Sequence, residues 1–280
     1  MAHPTLTERY RAARGDPTLV VLEGVHALKH ALRFGADVVD ARTRDPAGLR
    51  ELAQALAPDV AERIASAAGA VDADAFDTLA PSPHPTGVIA LAGRPGVALD
   101  RVLAAPGPAP LVLLERPTHH GNIGAVVRVA AAAGAAGVLV TGRHDPWHPA
   151  SIRGGAGLQF ALPVAGLTAD GVETVLASGR PVVALDPDGV PLVGGGGGRG
   201  RGGHDVPAAS GTRGPDASPP IPPRAVLVFG SERTGVSEAL LGRVDHRVAI
   251  PMRPGVSSLN LATAVAVTLY AAGGWTAFAG

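Results

Sequence analysis

Three short stretches hold the side chains that could do chemistry together. GNIGAVVR carries Asn122 and Arg128, FGSERTG carries Glu232, and IPMRPGVSSLN carries Ser258 and Asn260. Each is a glycine-containing loop at the end of a strand-like apolar run, where backbone amides and carbonyls can bind a nucleoside-like ligand by main chain. Asn122 reads as a cap for the helix it opens, with Ile123, Val127 and Ala130 as that helix's buried stripe. At about 100° per residue Arg128 lies roughly 140° round from Ile123, so it points away from the stripe. There it is free to meet a phosphate, a carboxylate or a partner subunit, and a plain surface arginine fits the spacing equally well.

Other chemistries are poorly supported. No G-x-G-x-x-G follows the first strand and no G-x-x-x-x-G-K-[ST] occurs, which argues against dinucleotide and nucleoside triphosphate sites. The absence of cysteine excludes disulfides, thiol catalysis and thiolate-bound metals. His144 and His148 have an i, i+4 spacing, but Pro146 and Pro149 interrupt any helix between them, so no metal site is expected. His119 and His120 read as exposed loop histidines, with a place at an RNA entrance or a proton shuttle as the sharper alternative. Trp147 either stacks on a base, with Arg143 and Arg153 holding backbone, or packs down on its own domain.

These residues need a scaffold. The chain has 280 residues, 46% of them apolar, and equal numbers of basic and acidic side chains, 24 of each. It can bury a core, and it lacks a whole-chain basic signature for nucleic acid. The first 17 residues read as a polar tail with a helix near Arg9 to Arg14. Residues 18–104 read as a small α/β unit, with strands at Leu19–Leu22, Val38–Val39 and Gly87–Leu91 and helices at 25–34, 47–57, 60–68 and 74–79. That unit holds eight basic and eleven acidic residues. A Pro and Gly-rich linker at 105–110 follows.

From 111 to 280 strands and helices alternate. Strands are expected at 111–114, 138–141, 161–164, 182–185, 226–229 and 247–250, and helices at 122–133, near Ala150, at 171–177 and from about Ser258. Such alternation predicts a mostly parallel sheet with helices on both faces and a ligand beyond the carboxyl ends of its strands. Residues 193–223 are almost devoid of apolar side chains and read as a disordered insertion; GGRGRGG within it invites an RNA-tracking reading, with a flexible linker favoured. The N-terminus lacks an apolar core, and the run Leu261 to Ala272 falls short of the ~20 residues of a membrane span, so a cytoplasmic protein is expected.

GNIGAVVR followed by VLVTG, LVFGSERTGVS, and IPMRPGVSSLNLATAVAVTLY resemble, in order, the three motifs of the SpoU or TrmH branch of the SPOUT methyltransferases. VVLEGVHALKHAL and PTGVIALA resemble the beginning and end of that family's ribosomal-protein-like substrate-binding domain. ERPTHHGNIG and SSLN look most like the ribosomal RNA and antibiotic-resistance enzymes of actinomycetes. The resemblance implies methylation of an RNA ribose 2′-hydroxyl by S-adenosyl-L-methionine, with ribosomal RNA favoured over transfer RNA. A transfer RNA enzyme or a non-catalytic RNA-binding relative are the other readings.

It further implies a C-terminal trefoil knot and a homodimer in which Arg128 acts across the interface. Asn122, Arg128, Glu232, Ser258 and Asn260 fall on the family's functional positions. Cofactor contacts fall on Gly230, Ile250 and Leu259, with Phe229, Ser231, Gly235 and Met252 close by. Glu232 would orient the arginine, accept from the substrate, or cap the helix after Gly235. Ser258 and Asn260 would join the loops or touch the ribose.

Overall fold

The computed structural model describes residues 4–82, 84–192 and 221–273; most of the expected insertion lies outside them. In the first unit the elements are α1 (Leu6–Ala13), β1 (Leu19–Glu23), α2 (Val25–Arg33), β2 (Val38–Thr43), α3 (Pro46–Leu56), α4 (Ala61–Ala67), β3 (Gly69–Ala70), α5 (Ala73–Asp77), β4 (Val88–Gly93) and α6 (Leu99–Ala104). They build a four-stranded sheet in the order β1-β4-β2-β3. The expected tail is instead anchored: a Thr5/Glu8 capping box starts α1, whose Tyr10 is wholly buried and donates to Asp40 Oδ2 at 2.9 Å.

The second unit contains β5 (Leu111–Leu114), α7 (His120–Ala132), β6 (Gly137–Thr141), α8 (Pro149–Gly155), β7 (Val164–Leu167), α9 (Ala169–Leu176), β8 (Val182–Pro191), β9 (Val226–Phe229), α10 (Glu238–Leu241), β10 (His246–Ala249) and α11 (Leu261–Ala271). All neighbours in its six-stranded sheet, ordered β10-β8-β9-β5-β6-β7, are parallel. Such a sheet buries both faces, and β5 and β9 are accordingly uninterrupted apolar runs, buried at every residue. Each fully buried Leu there stabilises the fold by about 1.5–3 kcal/mol.

Three boundaries differ from expectation for local reasons. The strand expected at 161–164 begins only at Val164, directly after Pro163, which has no amide hydrogen to give to a ladder. The helix expected from Ser258 starts at Leu261, because Asn260 is its cap and accepts from the Ala262 amide at 2.9 Å. Asn122 is not a cap: α7 begins at His120 with His119 in the cap position, which leaves the Asn122 side chain free for other partners.

The two units are not joined only by a linker. One cluster of buried apolar side chains runs from Val20, Leu22 and Leu28 through Ile152 to Ile123, Val127 and Leu114. Residues 105–110 are themselves pinned. The guanidinium of Arg180, 4% exposed, donates to the carbonyls of Val102, Leu103, Ala105, Ala109 and Arg224. Composition had hidden this residue, since arginine accounts for nearly all the positive charge and a single one is hard to single out.

Candidate active site

At the carboxyl end of β5 the chain turns into α7, and Asn122 in the first turn faces two other loops. Its Nδ2 donates to Glu232 Oε1 at 2.6 Å, and its Oδ1 accepts from Asn260 Nδ2 at 3.3 Å. The second carboxylate oxygen of Glu232 accepts from the Thr118 amide at 3.0 Å and from its hydroxyl at 2.8 Å. Partial burial pushes the Glu232 carboxyl up, but bonds from Asn122, its own backbone and Thr118 outweigh this and hold it down at about 2. Glu232 is therefore an ionised acceptor at neutral pH, spent on positioning Asn122 and Thr118. It does not cap the helix after Gly235. Thr118 was missed from the sequence, since nothing in its own neighbourhood marks a contact with a residue so far along the chain.

Beside this cluster the middle of β8 and the carboxyl end of β10 enclose a cleft of about 130 Å³ lined by Leu185, Asp186, Pro187, Ile250, Met252, Ser258 and Leu259. Its wall comes from a register jump. Arg247 pairs with Ala184 but Val248 pairs with Val190, so the residues between bulge out of the ladder over the carboxyl end of the sheet. The expected residues Ile250, Leu259 and Met252 thus come together with Ser258, which lines this cleft rather than the hydrogen-bonded cluster.

Gly230, Ser231 and Gly235 form a tight turn at the neighbouring end of β9. Ser231 and Gly235 exchange both backbone bonds, at 3.1 and 3.0 Å. A Cβ on Gly230 would collide with the backbone of Gly235 and Val236, so only glycine lets the turn fold back this closely. Phe229 is 2% exposed and belongs to the core, positioning the turn rather than facing a ligand.

Arg128 lies apart. It is exposed on α7, about 9 Å along the helix axis from Asn122, and lines a different cleft with Lys29 and Arg153. Within one chain the structure brings Asn122, Glu232 and Asn260 together and leaves Arg128 outside.

Residues 109–270 match the model of the SpoU rRNA Methylase family. The chain belongs to this family.

Some relatives of this SpoU chain carry ribosomal RNA names and others the name tRNA/rRNA methyltransferase. It is 34% identical over 194 residues to the 23S rRNA (uridine(2479)-2′-O)-methyltransferase of Streptomyces viridochromogenes, the match covering 67% of this chain and 60% of that protein. It is 30% identical over 259 residues to the 23S rRNA (guanosine-2′-O-)-methyltransferase of Bordetella pertussis, covering 89% of this chain and 95% of that protein. Among solved structures, the SpoU methyltransferase AviRb from Streptomyces viridochromogenes in complex with AdoMet superposes with a TM-score of 0.71 at 26% identity, covering 96% of this chain and 97% of that one.

Two other readings for the SpoU chain are resolved. Trp147 is 4% exposed, donates from Nε1 to the Val164 carbonyl at 3.0 Å and packs edge-on against Phe160, so it is a core anchor and not a base-stacking platform. His119 is exposed at the cap of α7, as expected, but His120 is not an isolated loop histidine. His120 stacks on His148 with ring centroids 4.0 Å apart and meets His144 edge-on at 4.6 Å. Among the described residues no group of three or more potential ligands is arranged to hold a metal. No helix among them is long and apolar enough to cross a membrane.

Proposed function

We propose that this chain transfers a methyl group from S-adenosyl-L-methionine to a ribose 2′-hydroxyl of ribosomal RNA. The observation that carries the reading is the Asn122–Glu232–Asn260 cluster, formed by three separated loops where the parallel sheet ends and beside an apolar cleft.

The cleft fits the cofactor by its chemistry. Leu185, Ile250, Met252 and Leu259 offer apolar contact to an adenine ring, Asp186 an acceptor for a ribose or amino group, and the Gly230 turn main-chain groups close by. When bound, the sulfonium supplies a methyl carbon already activated toward attack. The chain's own part is position: the Asn122 amide, fixed through both its ends, and Ser258 at the cleft wall orient the 2′-oxygen in line with that carbon. With the oxygen so held, the hydroxyl proton would pass to solvent as the methyl group is transferred. Glu232 is too acidic and too fully engaged to take that proton.

Arg128, whose guanidinium offers donors and no acceptor, serves as a fixed positive charge for the phosphate or the developing alkoxide. Because it stands outside its own chain's cluster, this reading has it reach the site of a second copy, across a homodimer face that includes the half-exposed Val267 and Tyr270 of α11. A trefoil knot formed by the segment between β10 and α11, a substrate-binding role for residues 18–104 and a cytoplasmic location complete it.

The test is to incubate the protein with tritiated S-adenosyl-L-methionine and total RNA from a strain lacking the gene, then separate RNA by size. Label in large ribosomal RNA, resistant to alkali at one ribose, is the expected result. Label in transfer RNA would overturn the substrate, and no label despite cofactor binding would overturn catalysis on free RNA.

A further inference from the structure

The junction between the two units encloses a cleft of about 500 Å³ whose lining comes from four separate segments: α2, the turn at His84, α7 and α8. Three cations, Lys29, Arg128 and Arg153, line it against one carboxylate, Glu23. That carboxylate is already committed. It is 5% exposed and paired with Arg14 at 2.8 Å and Arg153 at 3.1 Å. Lys29 and Arg128 form no ion pair among the described residues, whereas Arg33, Arg42, Arg44 and Arg94 of the first unit each hold an aspartate. Lys29 is also the chain's only lysine, and His26, His30 and His84 add further donors around it.

The walls are fixed. His30 Nδ1 meets the Ala156 carbonyl at 2.7 Å across the junction. Gly157, at a φ of 79°, lies so close to Ala27 that a Cβ would come within 2.6 Å of the Ala27 carbonyl oxygen. A rigid cleft with unpaired cations, in a unit that is acidic overall, is matched to a polyanion rather than to an apolar or cationic partner.

We infer that this cleft holds the sugar-phosphate backbone of the RNA substrate, with the unpaired Lys29 as its phosphate contact and Arg153, held by Glu23, at its edge. The inference rests on the proposed function for its choice of polyanion. It assigns RNA binding to the seam between the units, leaving the Gly and Arg-rich stretch and the first unit's outer surface as secondary. It also gives Arg128 a station beside bound phosphate.

The test is equilibrium binding of the full chain to purified bacterial 23S rRNA between about 50 and 200 mM salt, read as affinity and salt slope. Lys29→Gln is expected to weaken binding five- to tenfold and lower the slope by about 0.7 to 0.9, one phosphate contact, while calorimetry shows unchanged S-adenosyl-L-methionine affinity. Lys29→Arg should keep the slope. Arg50→Gln, on the exposed face of α3 away from the cleft, should change neither quantity. Lys29 is partly exposed and unpaired, so the fold should tolerate its loss, and an unchanged melting temperature checks this.

An unchanged slope in Lys29→Gln, or an equal loss in Arg50→Gln, overturns the inference. So does a change in oligomeric mass without a change in RNA affinity. Binding is read without turnover, so a chain that binds through this cleft and methylates nothing would sink the proposed function and leave the cleft standing.

Discussion

Asn122 and Glu232 are separated by 110 residues in sequence and joined by a 2.6 Å hydrogen bond. The carboxylate holds the amide, the amide's oxygen holds Asn260, and three loops become one surface. Glu232→Gln keeps the size but replaces one acceptor oxygen by an amide NH2 facing the donors of either Thr118 or Asn122. Turnover is expected to fall at least about tenfold with the cofactor's dissociation constant little changed, measured by single-turnover methylation and calorimetry.

The pH behaviour of Glu232 follows from its depressed value of about 2 against 4.5. Its contribution to stability is complete above 4.5 and lost as the pH falls toward 2. Across neutral pH it does not titrate, so the pH–rate profiles of the parent and Glu232→Gln should run parallel there. A limb near neutrality that vanishes in Glu232→Gln would make it a base after all.

Asn260 has two tasks that substitution can separate. Asn260→Ala removes both the helix cap and the bond to Asn122, and should cost about 1 kcal/mol of stability as well as activity. Asn260→Ser restores the cap but not the bridge, so thermal melts should recover while turnover does not.

Arg128→Lys discriminates between a charge clamp and a simple subunit contact. The clamp requires the forked geometry of a guanidinium, so turnover should drop at least about tenfold with unchanged cofactor binding. Retained turnover would leave Arg128 as an interface residue.

Burial, then repulsion from His148 and His144, keeps the His120 imidazole below its usual 6.5, and burial does the same to His148. The unfolded chain binds these protons more readily, so stability is complete above 6.5 and lost as the pH falls below it. The melting temperature should drop as the pH is lowered through that range, and His120→Gln should flatten the dependence. The same slope in His120→Gln would acquit the cluster.

What was legible in the sequence was local. The unbroken apolar runs at 111–114 and 226–229 became strands with those bounds, because a strand buried on both faces needs nothing else. Ile250, Met252 and Leu259 were grouped by family likeness and do share a cleft. The illegible parts depend on distance along the chain. Thr118 serves Glu232, Arg180 gathers five carbonyls, and His120 stacks on His148, none of which periodicity records. Asn122 misled because an amide at a helix start satisfies a cap as readily as a long-range partner, and the partner prevailed.

The sheet order places β10 at one edge while α11, next in sequence, packs on α7, the first helix of the sheet. The bond from Asn260 to Asn122 spans 138 residues, and no shorter stretch contains both. During synthesis the early strands can pair while the chain is still on the ribosome, but the Asn122–Glu232–Asn260 cluster forms only after Asn260 and α11 have emerged and docked. A nascent chain can therefore fold much of its core before these three loops meet.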